Sequence, residues 1–286
     1  MTGADAAVPL IDARGLDVAA PGGGVARPVL HGLDLRIDAG EQVAVIGASG
    51  AGKTTLLMAL ATGVRPCAGQ LRLAGADPWA LGAAARRRLR TQVLLAPQVP
   101  PLPPRQRVVT AVLAARLGTL GWLASLRQAV APPADAVRQV HDALTALDLP
   151  EKLWQRVDRL SGGERQRVGL ARLLVSDAAL WLVDEPLSAL DPARAERAMR
   201  VLCTRATQQR RTLVCSLHQI EVARRCFPRI VALREGRIVH DGPAADFDEA
   251  RLRALYGADL PTMAAPAATP VVPAVLPQVP PQAMCR

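Results

Sequence analysis

Residues 47–55 of this 286-residue chain read GASGAGKTT, directly after a compact apolar run at 41–46 and at the head of a helical pattern over 53–61. The string fits GxxxxGK[ST] in the strand–turn–helix setting that the pattern requires. Gly47, Gly50 and Gly52 let successive backbone N–H groups close around an anion, and the helix start behind them favours negative charge. Lys53 would reach the β- and γ-phosphates of a nucleotide, and the Thr54 hydroxyl would help to hold magnesium. Ala48, Ser49, Ala51 and Thr55 complete the expected phosphate-binding loop. The competing reading is a glycine turn beside an ordinary lysine. Against it, Lys53 and Lys152 are the only lysines among 35 basic residues, so a chance lysine at this position would be rare.

The rest of the chain arranges itself around that loop. Apolar runs at 179–183, 212–216 and 230–233 alternate with helical patterns, the mark of a parallel α/β architecture. Residues 8–46 read instead as short strands and turns, with PGGG at 21–24 as a hairpin tip. Strands are also expected at 71–73 and 92–95, with an arginine-rich helix between them. VPPLPP at 99–104 cannot be helix interior, because four of its six residues are proline. From 108 to 160 apolar positions recur at three- and four-residue spacing, which predicts a helical subdomain inserted over about 99–160. REGRI at 234–238 predicts a tight turn into one more strand. Residues 8–258 are thus expected to form one domain. The last 26 residues, 261–286, hold seven prolines and no periodicity, and predict an extended, poorly ordered tail.

Composition narrows the class. Half of the residues are hydrophobic, which excludes a wholly disordered chain. No window approaches the ~20 apolar residues of a membrane span; the best, 111–126, is broken by Arg116 and Gly118. The first residues lack the basic and apolar regions of a secretion signal. Cys67, Cys203, Cys215, Cys226 and Cys285 form no CxxC pair, so neither a disulfide framework nor a zinc site is suggested. A soluble chain working in the cytosol is expected. The net charge of +10 favours anionic partners. Aromatics make up only 2% of the chain, which leaves few platforms for stacking nucleic-acid bases, and no nucleic-acid partner is expected. Arg86, Arg87, Arg88 and Arg90 read as a solvated helix face.

Two further motifs accompany the loop. AALWLVDEP at 178–186 is an apolar strand ending in Asp184 and Glu185. An aspartate at that edge, beside a phosphate loop, can hold magnesium, and the glutamate after it can orient an attacking water. LSGGERQRVGLAR at 160–172 contains a capping box, Ser161 to Glu164, and an exposed glycine-rich helix start that offers a second anion site.

With this string the chain resembles the ATP-binding-cassette (ABC) ATPases, whose signature motif is LSGGQ-like. The resemblance implies a P-loop NTPase core, with a RecA-like parallel sheet and an antiparallel β subdomain, plus the inserted helical subdomain. It implies that Ser161, Gly162 and Gly163 of one subunit close over the ATP held by a second copy, so that a homodimer forms. Gln98 matches the glutamine that joins the magnesium site to the helical subdomain, alongside Thr54 and Asp184 as magnesium ligands. Residues 188–191 match the D-loop, which adds Asp191 to the ATP contacts, and His218 matches the switch histidine, catalytic together with Glu185. His31, His141 and His240 receive no role.

Local strings are similar to the phosphonate-importer ATPases within that family: residues 114–126, residues 215–243, and the gapless spacing from Gln98 to Gly118. The resemblance implies an ATPase at the cytoplasmic face of the inner membrane, working with integral permease subunits and, indirectly, a periplasmic or surface solute-binding protein. An importer for phosphate or polar amino acids, or a cassette that imports nothing, are the alternatives. The chain departs from the family in two places. The stretch at 18–22, VAAPG, lacks the usual adenine-stacking aromatic, and the segment after Gln98 is VPPLPPRQR where polar and aromatic residues are usual.

Overall fold

The computed structural model describes residues 8–20, 28–248 and 251. In chain order its strands are Ile11–Ala19 (β1), Pro28–Ile37 (β2), Gln42–Ile46 (β3), Ala68–Leu73 (β4), Val93–Ala96 (β5), Leu180–Asp184 (β6), Thr212–Leu217 (β7), Arg229–Arg234 (β8) and Arg237–Pro243 (β9). Its helices are Lys53–Leu60 (α1), Ala83–Thr91 (α2), Val108–Leu113 (α3), Trp122–Val130 (α4), Ala134–Ala146 (α5), Gly162–Leu174 (α6), Pro192–Gln208 (α7) and Ile220–Cys226 (α8). Short 3-10 turns fill parts of the stretch between α3 and α6. None of the described helices is long and apolar enough to cross a membrane.

Two sheets result. β1 lies between β2 and β4 in an antiparallel sheet, with Ile11 facing both Ile37 and Leu73. The second sheet has the order β5-β6-β7-β3-β8-β9 and is parallel except for β9 at its edge. Its central strands β3, β6, β7 and β8 are mainly apolar and buried because both faces are covered there, whereas β9 at the edge is polar and partly exposed. Val43 and Val45 face a core shared with α1 and the antiparallel sheet, whereas Ala44 and Ile46 face the core built with α3 and α5 to α8. Each fully buried valine or isoleucine here contributes about 1.5–3 kcal/mol relative to exposure.

The apolar runs expected as strands lie within or overlap β3 to β8. β4 begins earlier than expected, at Ala68, because Ala68, Gly69 and Gln70 are exposed and carry no apolar signal, yet pair with β1. The REGRI turn is present: Glu235 and Gly236, at φ 50° and 74°, close β8 onto β9 as the two central residues between paired Arg234 and Arg237. The Gly236 N–H also donates to the Ala51 carbonyl in the phosphate loop, at 3.2 Å. The hairpin tip at 21–24 and the tail at 261–286 lie outside the described residues.

The arginine-rich helix is α2. Arg87, Arg88 and Arg90 are exposed, as expected of a solvated face, although Arg90 also donates to both oxygens of Thr62; Arg86 is half-buried and donates to the Leu81 carbonyl. The proline segment is held firmly. Pro100 packs on α6 where a Cβ on Gly169 would lie 2.6 Å from its ring, and Asp158 N–H donates to the Pro104 carbonyl at 2.9 Å.

Candidate nucleotide site

Parallel β3, β5, β6 and β7 all end on one edge of the sheet, and the loop that follows each of these four strands carries a site residue expected from the sequence. β3 runs into the phosphate loop, β5 leads to Gln98, β6 ends at Asp184 with Glu185 next, and β7 leads to His218. In open parallel sheets the crevice beyond the C-terminal strand ends is where ligands sit.

The loop is shaped for an anion. Gly52 caps α1 in the left-handed region, at φ 100°, and a Cβ there would lie 2.6 Å from the buried Leu30 side chain. No side chain caps α1 and no acidic residue stands in its first turn, so its amino-terminal N–H groups face the crevice without a side-chain acceptor. Lys53 is 4% exposed, with Nζ donating to the Gly47 and Ala48 carbonyls at 2.9 and 3.1 Å and lying 3.9 Å from Glu185 Oε1. Burial pushes its pKa down, against the opposing pull of Glu185 and Asp184. Thr54 is exposed at the mouth and Thr55 is buried.

Glu185 is the hub. Gln98 Nε2 donates to its Oε2 at 2.9 Å, and His218 Nε2 is 2.5 Å from its Oε1. Its φ of 45° is left-handed, a conformation that costs a non-glycine residue about 1–3 kcal/mol and persists only where the surroundings over-determine it. The Ser216 hydroxyl accepts from the Glu185 N–H at 3.0 Å and donates to Asp184 Oδ1 at 2.6 Å. Gln166, on α6, donates to the Glu185 carbonyl at 3.0 Å and to Ser188 Oγ at 3.1 Å, and accepts from the Ala189 N–H at 2.9 Å. Neither Ser216 nor Gln166 was expected from the sequence. The only signal for Ser216 was a polar residue inside the apolar run of β7, with partners that depend on strand register, while Gln166 sits between two arginines on α6 and gave no signal.

The donor set fits magnesium. Asp184 is buried with Oδ1 taken by Ser216, and the Gln98 amide spends its N–H on Glu185, which leaves its oxygen available. Together with the Thr54 hydroxyl these are hard oxygen donors, few in number, as suits an ion that keeps waters and binds phosphate oxygens. Among the described residues no three His, Cys, Asp or Glu side chains are grouped so that they alone could hold a metal ion, so a site built wholly from protein carboxylates is not what the fold offers there.

The signature stretch is a separate place. Ser161 caps α6, accepting from the Glu164 N–H at 3.3 Å while Glu164 accepts from the Ser161 N–H at 2.8 Å, the reciprocal box expected from the sequence. Lys152 lies 3.0 Å from Glu164. The Glu164 carboxyl is held below its ordinary pKa, first by the Ser161 N–H and then by Lys152. Gly162 opens onto free space; a Cβ on Gly163 would lie 2.8 Å from the Ala189 carbonyl. Among the described residues no hydrogen bond or ion pair joins Ser161, Gly162 or Gly163 to the phosphate loop. Asp191 caps α7, accepting from the Arg194 N–H at 3.0 Å. Of the stretch without an aromatic, Val18 is fully buried in the antiparallel sheet and Pro21 and Gly22 lie outside the described residues.

Comparison with known proteins gives the family. The ABC transporter family model matches residues 30–188. The phosphonates import ATP-binding protein PhnC of Polaromonas sp. is 53% identical over 242 residues, covering 85% of this chain and 87% of the relative. PhnC 2 of Pseudomonas aeruginosa is 51% identical over 245 residues, covering 85% and 91%. Among solved structures, the ATP binding subunit of an ABC transporter matches with TM-score 0.66 and 26% identity, over 87% of this chain and 95% of that one. A dimeric ATP-binding cassette in a post-hydrolysis state, bound to ADP and Pi, matches the fold with TM-score 0.72 and 24% identity, over 82% and 98%. This chain belongs to the ABC transporter family, as one of its ATP-hydrolysing cassettes.

Proposed function

We propose that the chain is the ATP-binding and hydrolysing subunit of an ABC importer for phosphonates, seated peripherally on the cytoplasmic face of the inner membrane. The observation that carries the chemistry is the convergence of Lys53, Asp184, Glu185, Gln98 and His218 at one edge of the sheet. Residues 8–258 act as one ATPase unit, with a helical subdomain over about 99–160 inserted in it. The phosphate loop, residues 47–55, cradles the phosphates of ATP with its backbone N–H groups, and Lys53 exchanges its carbonyl partners for phosphate oxygens. Thr54, Gln98 and Asp184 hold magnesium, which when bound offsets phosphate charge. Glu185 orients and polarises the attacking water, and His218 fixes the Glu185 carboxylate.

Ser161, Gly162, Gly163 and Asp191 act on ATP held by a second copy of the chain. The free space at Gly162, and its lack of any contact with the phosphate loop of the same subunit, support that reading. Hydrolysis opens the homodimer, and the helical subdomain passes the movement to separate permease subunits that receive cargo from a solute-binding protein. Phosphonate as cargo rests on the relatives of about half identity whose names carry it.

The test is growth of a deletion strain on a phosphonate as sole phosphorus source, with orthophosphate as control. The wild-type chain should restore growth on phosphonate and Lys53→Ala should not. Growth of the uncomplemented deletion strain on phosphonate would remove the cargo assignment and leave the cassette ATPase standing.

A further inference from the structure

We propose that Ser216 is a positioning residue for ATP hydrolysis, whose one buried hydroxyl sets the Asp184 carboxylate and the Glu185 peptide in a fixed relation. The inference rests on the reading of Glu185 as the residue that orients water.

Strand register creates the contact. Asp184 and Ser216 are directly paired in the last rung between β6 and β7, so the chain must leave the sheet at Glu185. A residue that leaves a parallel ladder must find new partners for its peptide groups, because buried N–H and C=O groups are not left unpaired. Here both are taken by side chains: the N–H by Ser216 Oγ at 3.0 Å and the C=O by Gln166 Nε2 at 3.0 Å. Between these two holds Glu185 adopts its left-handed φ of 45°. A hydroxyl has one hydrogen to give, and Ser216 gives it to Asp184 Oδ1 at 2.6 Å, a short charge-assisted bond. Ser216 is 0% exposed, so bulk water does not reach the hydroxyl to replace it.

One oxygen atom therefore ties together the carboxylate that would hold magnesium and the backbone that aims the carboxylate at water. Alanine at this position would leave the Glu185 N–H without its acceptor and Asp184 free to turn, while Lys53, Asp184, Glu185 and His218 all remain. The loss is one of geometry, not of a reacting group, and misplacement by about 1 Å costs about a hundredfold in rate.

The experiment compares full-length wild type, Ser216→Ala, Ser216→Cys, Ser176→Ala and Glu185→Gln, reading ATP hydrolysis against both ATP and magnesium concentration, with ATP Kd and Tm for each. Ser176 is the control: it is also buried, and its hydroxyl donates to the Leu173 carbonyl on α6 at 2.9 Å. Ser216→Ala should lower kcat about ten- to a hundredfold, leave KM and Kd for ATP within about twofold, and raise the magnesium concentration needed for half-maximal rate. Ser176→Ala should alter none of these. Cysteine fills the space of serine but hydrogen-bonds weakly, so Ser216→Cys should resemble Ser216→Ala.

A Ser216→Cys variant as fast as wild type beside a slow Ser216→Ala would reduce Ser216 to a space-filling role and overturn the proposal. So would a Ser216→Ala kcat within about twofold of wild type, or one that falls only together with Tm and ATP affinity. Rapid turnover by Glu185→Gln would instead remove the reading of Glu185 on which the proposal stands.

Discussion

The chain contains two glycine-rich helix starts that look alike on paper and are built for different tasks. The start of α1 is left open: Gly52 caps it without a side-chain bond, its first turn has no acid, and Lys53 is folded back into the loop. The start of α6 is partly closed by the chain itself. Ser161 and Glu164 satisfy each other's backbone, and Lys152, the only other lysine, pins the Glu164 carboxylate. An open helix start with a buried cation is a complete anion site. A helix start that already carries a carboxylate is a weak one, and it needs a ligand presented from elsewhere. The difference teaches that glycine content alone does not identify an anion site; what the caps leave unsatisfied does.

Three predictions sharpen or break that contrast. The largest effect is expected at the complete site. Lys53→Ala should lower ATP hydrolysis by about a hundred- to a thousandfold, measured as phosphate release, as for the loss of an important transition-state donor. Retention of half the rate would mean that the loop is only a glycine turn.

Next, the glycines of the two sites should respond differently to an added methyl. A Cβ at Gly47 would sit 2.4 Å from the Leu233 carbonyl, whereas one at Gly162 meets nothing within 4 Å. Gly47→Ala should cost about 1–3 kcal/mol of stability, and Gly162→Ala no more than about 0.5 kcal/mol, both read by denaturant titration. Equal losses would dissolve the distinction.

Smaller than the effects at Lys53 and Gly47 are those of the box that closes α6. Ser161→Ala should cost about 1 kcal/mol, with the ATP affinity of the isolated subunit unchanged. The Glu164 carboxyl has a folded pKa below its ordinary 4.5, so its stabilisation is complete above that value and is lost as pH falls through the lower folded value. The stability difference between wild type and Glu164→Gln should therefore be constant above about pH 4.5 and shrink below it. A difference that grows with acidification would contradict the cap.

Much of the site was legible in the sequence because its residues lie in contiguous strings with a fixed mechanical meaning. Lys53 follows its loop glycines directly, Asp184 and Glu185 end an apolar strand, and the Ser161–Glu164 box is four residues long. What could not be read depends on pieces far apart in the chain. Ser216 meets Glu185 across 31 residues and Gln166 meets it across 19, and only the β6–β7 register and the seating of α6 decide those contacts. The same holds for β4, whose exposed first half is recruited by β1, and for Arg90, which reads as surface charge but clasps Thr62. The helical periodicity of 108–160 was also plain, yet it did not reveal that Trp122, Leu123, Leu126 and Val130 of α4 stay exposed.

The most direct test is the equilibrium ATP affinity of the isolated subunit for wild type, Lys53→Ala and Gly162→Glu, alongside hydrolysis by the same proteins. Gly162 faces open space, so the glutamate adds negative charge at the α6 start without a clash. If α1 is complete by itself and α6 serves a neighbour's nucleotide, Lys53→Ala loses affinity, while Gly162→Glu binds ATP like wild type and fails to hydrolyse it. Loss of affinity by Gly162→Glu equal to that of Lys53→Ala would show that both helix starts serve one nucleotide within one subunit, and the contrast between them would fall.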